Sequence, residues 1–314
     1  MTSSTDLTAP PTPAGPADTP RPSAPTSRRR SDPPRPRAPF RPHHLFFYLL
    51  LGVVALSSIS AYTWVFNVSM KTNSEFVSSP PWQVAETWRW ENYANAWDRA
   101  NIGLFFGNSV VISVASTAVG VVLAVFAAYP LARIAFRFSG VVLSTFLLGL
   151  MIPWMVTFAP LYLIMQDLGL LDSRLGLILV YATYNLPFNV FVLVGFMKTL
   201  PYELEEAAAM DGAGPARTFL SVILPLMGPG LASVAIISFL QNWNEFFYAL
   251  LLIHSPEKMP LPLGLFQLGQ AADYGTNWAT LFAGMMITVT PVLLGFAVLQ
   301  KQITKGLTAG ALKG

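Results

Sequence analysis

The chain has 314 residues, of which 53% are hydrophobic and 11% charged, with a net charge of +3. Soluble domains carry about 25% charged residues, so the composition excludes an ordinary water-soluble fold and points to a membrane protein with one large helical bundle. There is no cysteine, which excludes disulfide frameworks, thiolate metal sites and cysteine nucleophiles.

Residues 1–44 stand apart. They hold 12 of the 26 prolines and seven arginines. Such a stretch lacks the apolar surface to offset its ordering entropy and reads as a disordered tail. Its basic run, Arg28 to Arg30 with Arg35, Arg37 and Arg41, suits an anionic lipid face better than nucleic acid. The tail is too long for the n-region of a signal peptide.

Six apolar stretches come next: Leu45–Phe66, Leu104–Tyr129, Gly140–Met165, Leu175–Met197, Gly230–Ile253 and Ala279–Leu299. Each is long enough for a bilayer core of about 30 Å, which takes about 20 helical residues. The runs are continuous rather than alternating, so they predict helices and not a barrel. The expected fold is all-α, a polytopic membrane bundle of six transmembrane helices over residues 45–314. Glu245, in the fifth run, is the one Asp, Glu, Lys or Arg in any of them. With the tail inside, 14 Lys and Arg residues fall inside, and Lys71, Arg89, Arg99, Arg174 and Lys258 fall outside. That excess places both termini in the cytoplasm. The outer loop 71–103 carries Trp82, Trp88, Trp90 and Trp97, rings that suit either the membrane interface or an external partner.

Between the fourth and fifth runs the chain reads KTLPYELEEAAAMDGAGPARTFLSVILPLMGPG, from Lys198 to Gly230. Thr199 is placed to cap a helix that has Pro201 in its first turn, followed by Glu203, Glu205 and Glu206. The run Ala207 to Ala209 favours helix and has no bulk, so a partner can approach its backbone. Asp211, Gly212 and Gly214 turn the chain, and Pro215 starts a second helix. Pro225 and Pro229 break or kink the chain beyond that helix. Two roles fit this pattern equally: a helix that docks into a cytoplasmic partner, or an amphipathic helix lying on lipid.

This segment resembles the EAA loop of permease subunits of binding-protein-dependent ABC importers. Glu206-Ala207-Ala208, then Gly212, then Leu224-Pro225 stand at the family's spacing, with Val222 where Ile is usual. The segments SMKTNSEF, WENYANAW and GLTAGALKG resemble the smaller partner permease of the maltose-type carbohydrate group, and the likeness spans residues 45–314. The resemblance implies a loop, residues 199–225, that couples the bundle to a separate ATPase through Glu206, Ala207, Ala208, Asp211, Gly212, Leu224 and Pro225. It also implies that Lys313 and Gly314 reach the ATPase pair. The implied partners are a second permease, two ATPase subunits and an extracytoplasmic sugar-binding protein, in a bacterial inner membrane.

Polar residues within the runs form two stripes. Gln241, Asn244, Glu245 and Tyr248 fall at i, i+3, i+4 and i+7, on one face of a helix. Tyr181, Asn185 and Asn189 recur every four residues, with Pro187 between the asparagines. Such stripes line a polar path for a sugar, or they hydrogen-bond helices together. Glu245 also suits an outer gate. There is no phosphate-binding loop, metal-ligand spacing or nucleophile with a His and Asp partner, so no catalytic residue, metal or cofactor is expected. Two other readings compete with the permease subunit. One is an ion-gradient-driven secondary transporter using Glu245; the other is a membrane enzyme or assembly factor with the loop as a docking site.

Overall fold

A computed structural model describes residues 42–272 and 278–311. Residues 1–41 of the expected tail, and the expected ATPase contact at Lys313 and Gly314, lie outside the described residues. The chain divides into two compact units between Val53 and Val54. The described part of the first, residues 42–53, is helix. Regular structure among the described residues is helical throughout. In order it comprises α1 (Pro42–Ser69), α2 (Asn73–Ser78), α3 (Glu91–Ala94), α4 (Ile102–Arg133), α5 (Ser139–Met151), α6 (Phe158–Asp167) and α7 (Arg174–Met197). Beyond these come α8 (Glu203–Met210), α9 (Pro215–Thr218), α10 (Leu224–Leu226), α11 (Gly228–Asn244), α12 (Phe247–Leu252), α13 (Leu261–Ala272) and α14 (Trp278–Ala311).

Four helical segments among the described residues are long and apolar enough to cross a membrane: Leu45–Ser69, Ile102–Arg133, Arg174–Met197 and Trp278–Ala297. Two bent pairs bring the number to six. The pair Ser139–Met151 and Trp154–Asp167 turns by 99°, and Pro215–Leu226 with Gly228–Asn244 turns by 71°. The third run is therefore not one straight helix. Pro153 disfavours the helical region for the residue before it, and Ile152 is extended (φ −72°, ψ 120°). The fifth run is broken as well. Helix α11 stops at Asn244, and Glu245 is extended (φ −68°, ψ 132°). The Glu245 carboxylate then accepts the Tyr248 and Ala249 amides at 2.8 and 3.2 Å, which starts α12.

Helices α4, α7 and α11 form the centre, with α4 running along α7. The buried positions of α4, among them Ile112, Ser116, Gly120, Ala124, Ala128 and Leu131, recur every three to four residues and trace one face. Small residues there let two backbones approach, as is common in membrane bundles. At Gly120 a Cβ would sit 3.1 Å from the Ala182 carbonyl oxygen on α7.

One end of the bundle is tied by Asp172, in the turn between α6 and α7, where it adopts the left-handed region (φ 49°). Its carboxylate accepts the His254 and Ser255 amides at 2.9 Å each, the Ser255 hydroxyl, and the Lys258 ammonium at 2.8 Å. Burial pushes this carboxyl up, but Lys258, Ser255 and His254 outweigh it and hold the group well below the usual carboxylate range. Arg174 donates to the Glu257 carbonyl at 2.7 Å, and Asn108 of α4 donates to the carbonyls of Glu257 and Met259.

This packing carries two expected outcomes. Gly120→Val forces α4 from α7 and should cost about 1–3 kcal/mol of stability, whereas Gly107→Val, with open space around its Cβ, should be near neutral; thermal unfolding in detergent compares them. Asp172→Asn should lower the unfolding midpoint at pH 7. Because the folded carboxyl titrates below the unfolded one, its contribution is complete above about pH 4 and fades as pH falls further. The gap between variant and parent should therefore close in acid.

Candidate functional site

The two expected polar stripes meet between α7 and α11 and form two overlapping populations, with Asn185 in both. The first is a buried layer of interhelical bonds. Tyr181 donates its hydroxyl to Glu245 at 2.6 Å. Asn185 donates to Asn242 at 2.7 Å, and Asn242 donates to Thr117 of α4 at 3.1 Å. Asn189 accepts the Ser238 hydroxyl at 3.0 Å. Three central helices are thereby joined at one level. Asn242, Ser238 and Thr117 were not in the expected set, although Asn242 follows Gln241 and lies four residues after Ser238.

The second population faces a cavity of about 420 Å³. Asn185, Gln241 and Tyr248 of the expected residues line it, with Trp154, Thr157, Tyr184 and Pro187. Its wall is aromatic: Tyr184 and Tyr248 lie 5.4 Å apart edge to face, and Trp154 is 4.7 Å from Phe247. Tyr181, Asn189, Asn244 and Glu245 are not among the lining residues. Asn244 is exposed and donates to Leu240 of its own helix at 2.7 Å. Glu245 cannot share a helical face with Gln241, because the chain leaves the helix there to cap α12. Trp154, Thr157 and Tyr184 stand outside the expected set; Pro153 is the signal for the bend that brings the first two to the cavity, and Tyr184 lies one residue before Asn185 on α7.

The loop after α7 is built at the opposite end from Asp172. Thr199 does not cap α8: its hydroxyl donates to the Phe196 carbonyl at 2.7 Å, completing the end of α7 instead. Helix α8 starts at Glu203, with Glu203, Glu205 and Glu206 in its first turn, where carboxylates suit the helix dipole. It ends in a Schellman turn. The Ala213 amide donates to Ala208 and the Gly212 amide to Ala209, and Gly212 takes φ +78°, a conformation that favours glycine. Pro215 opens α9.

Helical spacing sorts the coupling residues. Glu203, Glu206, Ala207 and Met210 are exposed along one face, and Met210 is 89% exposed. Ala208 faces inward and is buried. Asp211 and Gly212 form the exposed turn. Leu224 packs with buried Phe219, Ile223 and Met227, and Pro225 follows a π-helical turn over Phe219–Ile223. Leu224 and Pro225 therefore belong to the stem under the loop, apart from the outward face. Arg133, at the end of α4, enters from outside the expected set: its guanidinium lies 2.9 Å from Glu205 and is 1% exposed.

A bundle of apolar helices, two of them broken beside a cavity with an aromatic wall and a few polar groups, with a helix–turn–helix projecting from one end, is the architecture of a membrane transport permease. The model of the family described as binding-protein-dependent transport system inner membrane component matches residues 120–308, and the chain belongs to that family. It is 39% identical to the diacetylchitobiose uptake system permease protein NgcG of Streptomyces coelicolor, over 80% of this chain and 82% of the relative. It is 32% identical to the trehalose transport system permease protein SugB of Mycobacterium tuberculosis, over 80% of this chain and 91% of the relative. A solved bacterial ABC transporter involved in the import of the polysaccharide alginate shares the fold: TM-score 0.73, 23% identity, 82% of this chain and 95% of that one.

The buried layer yields a stability test. Asn242→Leu leaves Asn185 and Thr117 without their partner and should cost about 1 kcal/mol, within the range for interhelical bonds in membranes, as read by thermal unfolding in detergent.

Proposed function

We propose that the chain is one membrane-spanning half of an ATP-driven carbohydrate importer. It works with a second permease, two ATPase subunits and an extracytoplasmic binding protein in a bacterial inner membrane. The Arg133 end and both termini face the cytoplasm, a reading that the distribution of Lys and Arg supports. The observation that carries this reading is the outward face of α8, where Glu203, Glu206, Ala207 and Met210 offer an acidic, low and apolar-tipped ridge beyond the bundle. The ATPase grips this ridge, Gly212 shapes its turn, and Leu224 and Pro225 root it in the bundle. Relatives named for diacetylchitobiose and trehalose uptake support a carbohydrate cargo.

The cavity supplies what such a cargo needs. Asn185, Gln241 and Thr157 offer groups that bond hydroxyls, while Trp154, Tyr184 and Tyr248 offer ring faces to apolar sugar surfaces. Tyr181, Asn189 and Glu245 hold the wall from behind through the bonds described above. Glu245 spends its oxygens on Tyr181 and the start of α12, which leaves no support for an ion-gradient carrier built on it.

Purification of the tagged chain from its native membranes should bring an ATPase with it. In reconstituted complex, Glu206→Arg should reduce ATP-dependent uptake about 10-fold, the scale of a typical coupling energy. Uptake by the chain alone, without an ATPase, would refute the proposal. Gln241→Leu should slow uptake about 5-fold, the value of one hydrogen bond of about 1 kcal/mol, with assembly intact by gel filtration; unchanged transport would remove the cavity from the path.

A further inference from the structure

Arg133 terminates α4 and lies 67 residues from Leu200, whose carbonyl accepts its Nη2 at 3.0 Å. Its Nε stands 2.9 Å from the Glu205 carboxylate on α8, and its guanidinium lies over the Tyr202 ring at 4.4 Å. Tyr202 returns the grip by donating its hydroxyl to the Ala132 carbonyl at 3.3 Å. One side chain thus engages three successive points of the loop: Leu200 just beyond α7, Tyr202 in the turn, and Glu205 in the first turn of α8. The far side of the loop is held by the same helix, because the Phe219 ring packs at a tilt against Tyr129 and Phe126, with centroids 4.6 and 5.6 Å away.

We propose that Arg133 is a positioning residue that locks the coupling loop to the end of α4, so that displacement of the loop is delivered to α4 and not only to its chain neighbours α7 and α11. This rests on the coupling role given to α8 above. The covalent route from α8 back to α7 runs through non-helical Leu200, Pro201 and Tyr202, where Pro201 has no amide hydrogen and the helical ladder is interrupted. The Arg133 clasp ties that interruption to the end of α4. A buried guanidinium without its carboxylate is strongly unfavourable, so loop and helix end separate only with difficulty. Helix α4 has 32 residues, about 48 Å at the helical rise. At its other end Asn108 and Ser109 hold Met259 and Leu261, and midway Thr117 meets Asn242. A push at α8 therefore has a route to the cavity level and the Asp172 end along a single helix, which carries one interior proline, Pro130, in its last turn.

The test uses the full complex with its partner permease, ATPase and binding protein in lipid. Arg133→Glu should lower solute-stimulated ATP hydrolysis about 10-fold while the ATPase still copurifies, and Arg133→Glu with Glu205→Arg should regain most of that loss. On the chain with Arg133 in place, spin labels at Ile134 and Ala209 should keep their separation within about 2 Å between nucleotide-free and ATP-bound states, no more than an ordinary helix shift. A change above about 5 Å, the scale of a one-turn slip, overturns the proposal even if the charge variants fail to assemble. Full stimulation in Arg133→Glu, or no recovery in the assembled charge swap, also overturns it. A parent complex whose ATP hydrolysis ignores solute overturns the coupling role and this proposal together, whereas a coupled parent beside an equally coupled Arg133→Glu overturns this proposal alone.

Discussion

Hydrocarbon offers no hydrogen bonds, so each polar group that the chain carries into the membrane must be satisfied by the chain itself. Most of the bundle obeys this, with Ser113 Oγ, Asn185 Oδ1 and Asn189 Nδ2, among the described residues, buried and unpartnered as exceptions. Straight helices settle their own backbones, and the Asn185 amide hydrogens, Asn242 and the Thr117 hydroxyl bond across three helices. Non-helical backbone is tolerated at membrane depth where it borders a cavity. Two of the three interruptions do so: Ile152 and Trp154 flank the Pro153 bend and line the cavity, as does Tyr248, which comes just after the break at Glu245, while the 71° bend between Leu226 and Gly228 lies apart from it.

The same rule explains which parts of the fold were legible in the sequence. Apolar length is written plainly, and all six runs correspond to a straight or broken span. The turn at Gly212 was also legible, because positive φ at a helix end selects glycine and Pro215 marks the next start. The break at Glu245 was not. Periodicity places Glu245 on a helical stripe, yet its carboxylate is worth more as the acceptor for the Tyr248 and Ala249 amides, and pattern alone does not weigh one use against the other. Thr199 misled for a related reason, since two helix ends lie within its reach and the nearer one took it. Asn242 was overlooked because a stripe read on one helix does not show what stands opposite on another.

Adjacent carboxylates show how the loop divides its duties. Glu205 and Glu206 are about 100° apart on α8. Glu205 turns inward to Arg133 and is partly buried, while Glu206 points outward. Read in sequence they are equivalent first-turn acids at a helix N-terminus. Their different fates depend on α4, which ends with Arg133 beneath the inward one. Without that cation the inward position would carry a half-buried charge lacking a partner, and α8 would gain by rotating Glu205 toward water. Such a rotation would carry Ala208 out and turn the ridge of Glu206, Ala207 and Met210 away from its present direction. The orientation of the outward face is thus set from below, by a residue that never reaches the surface.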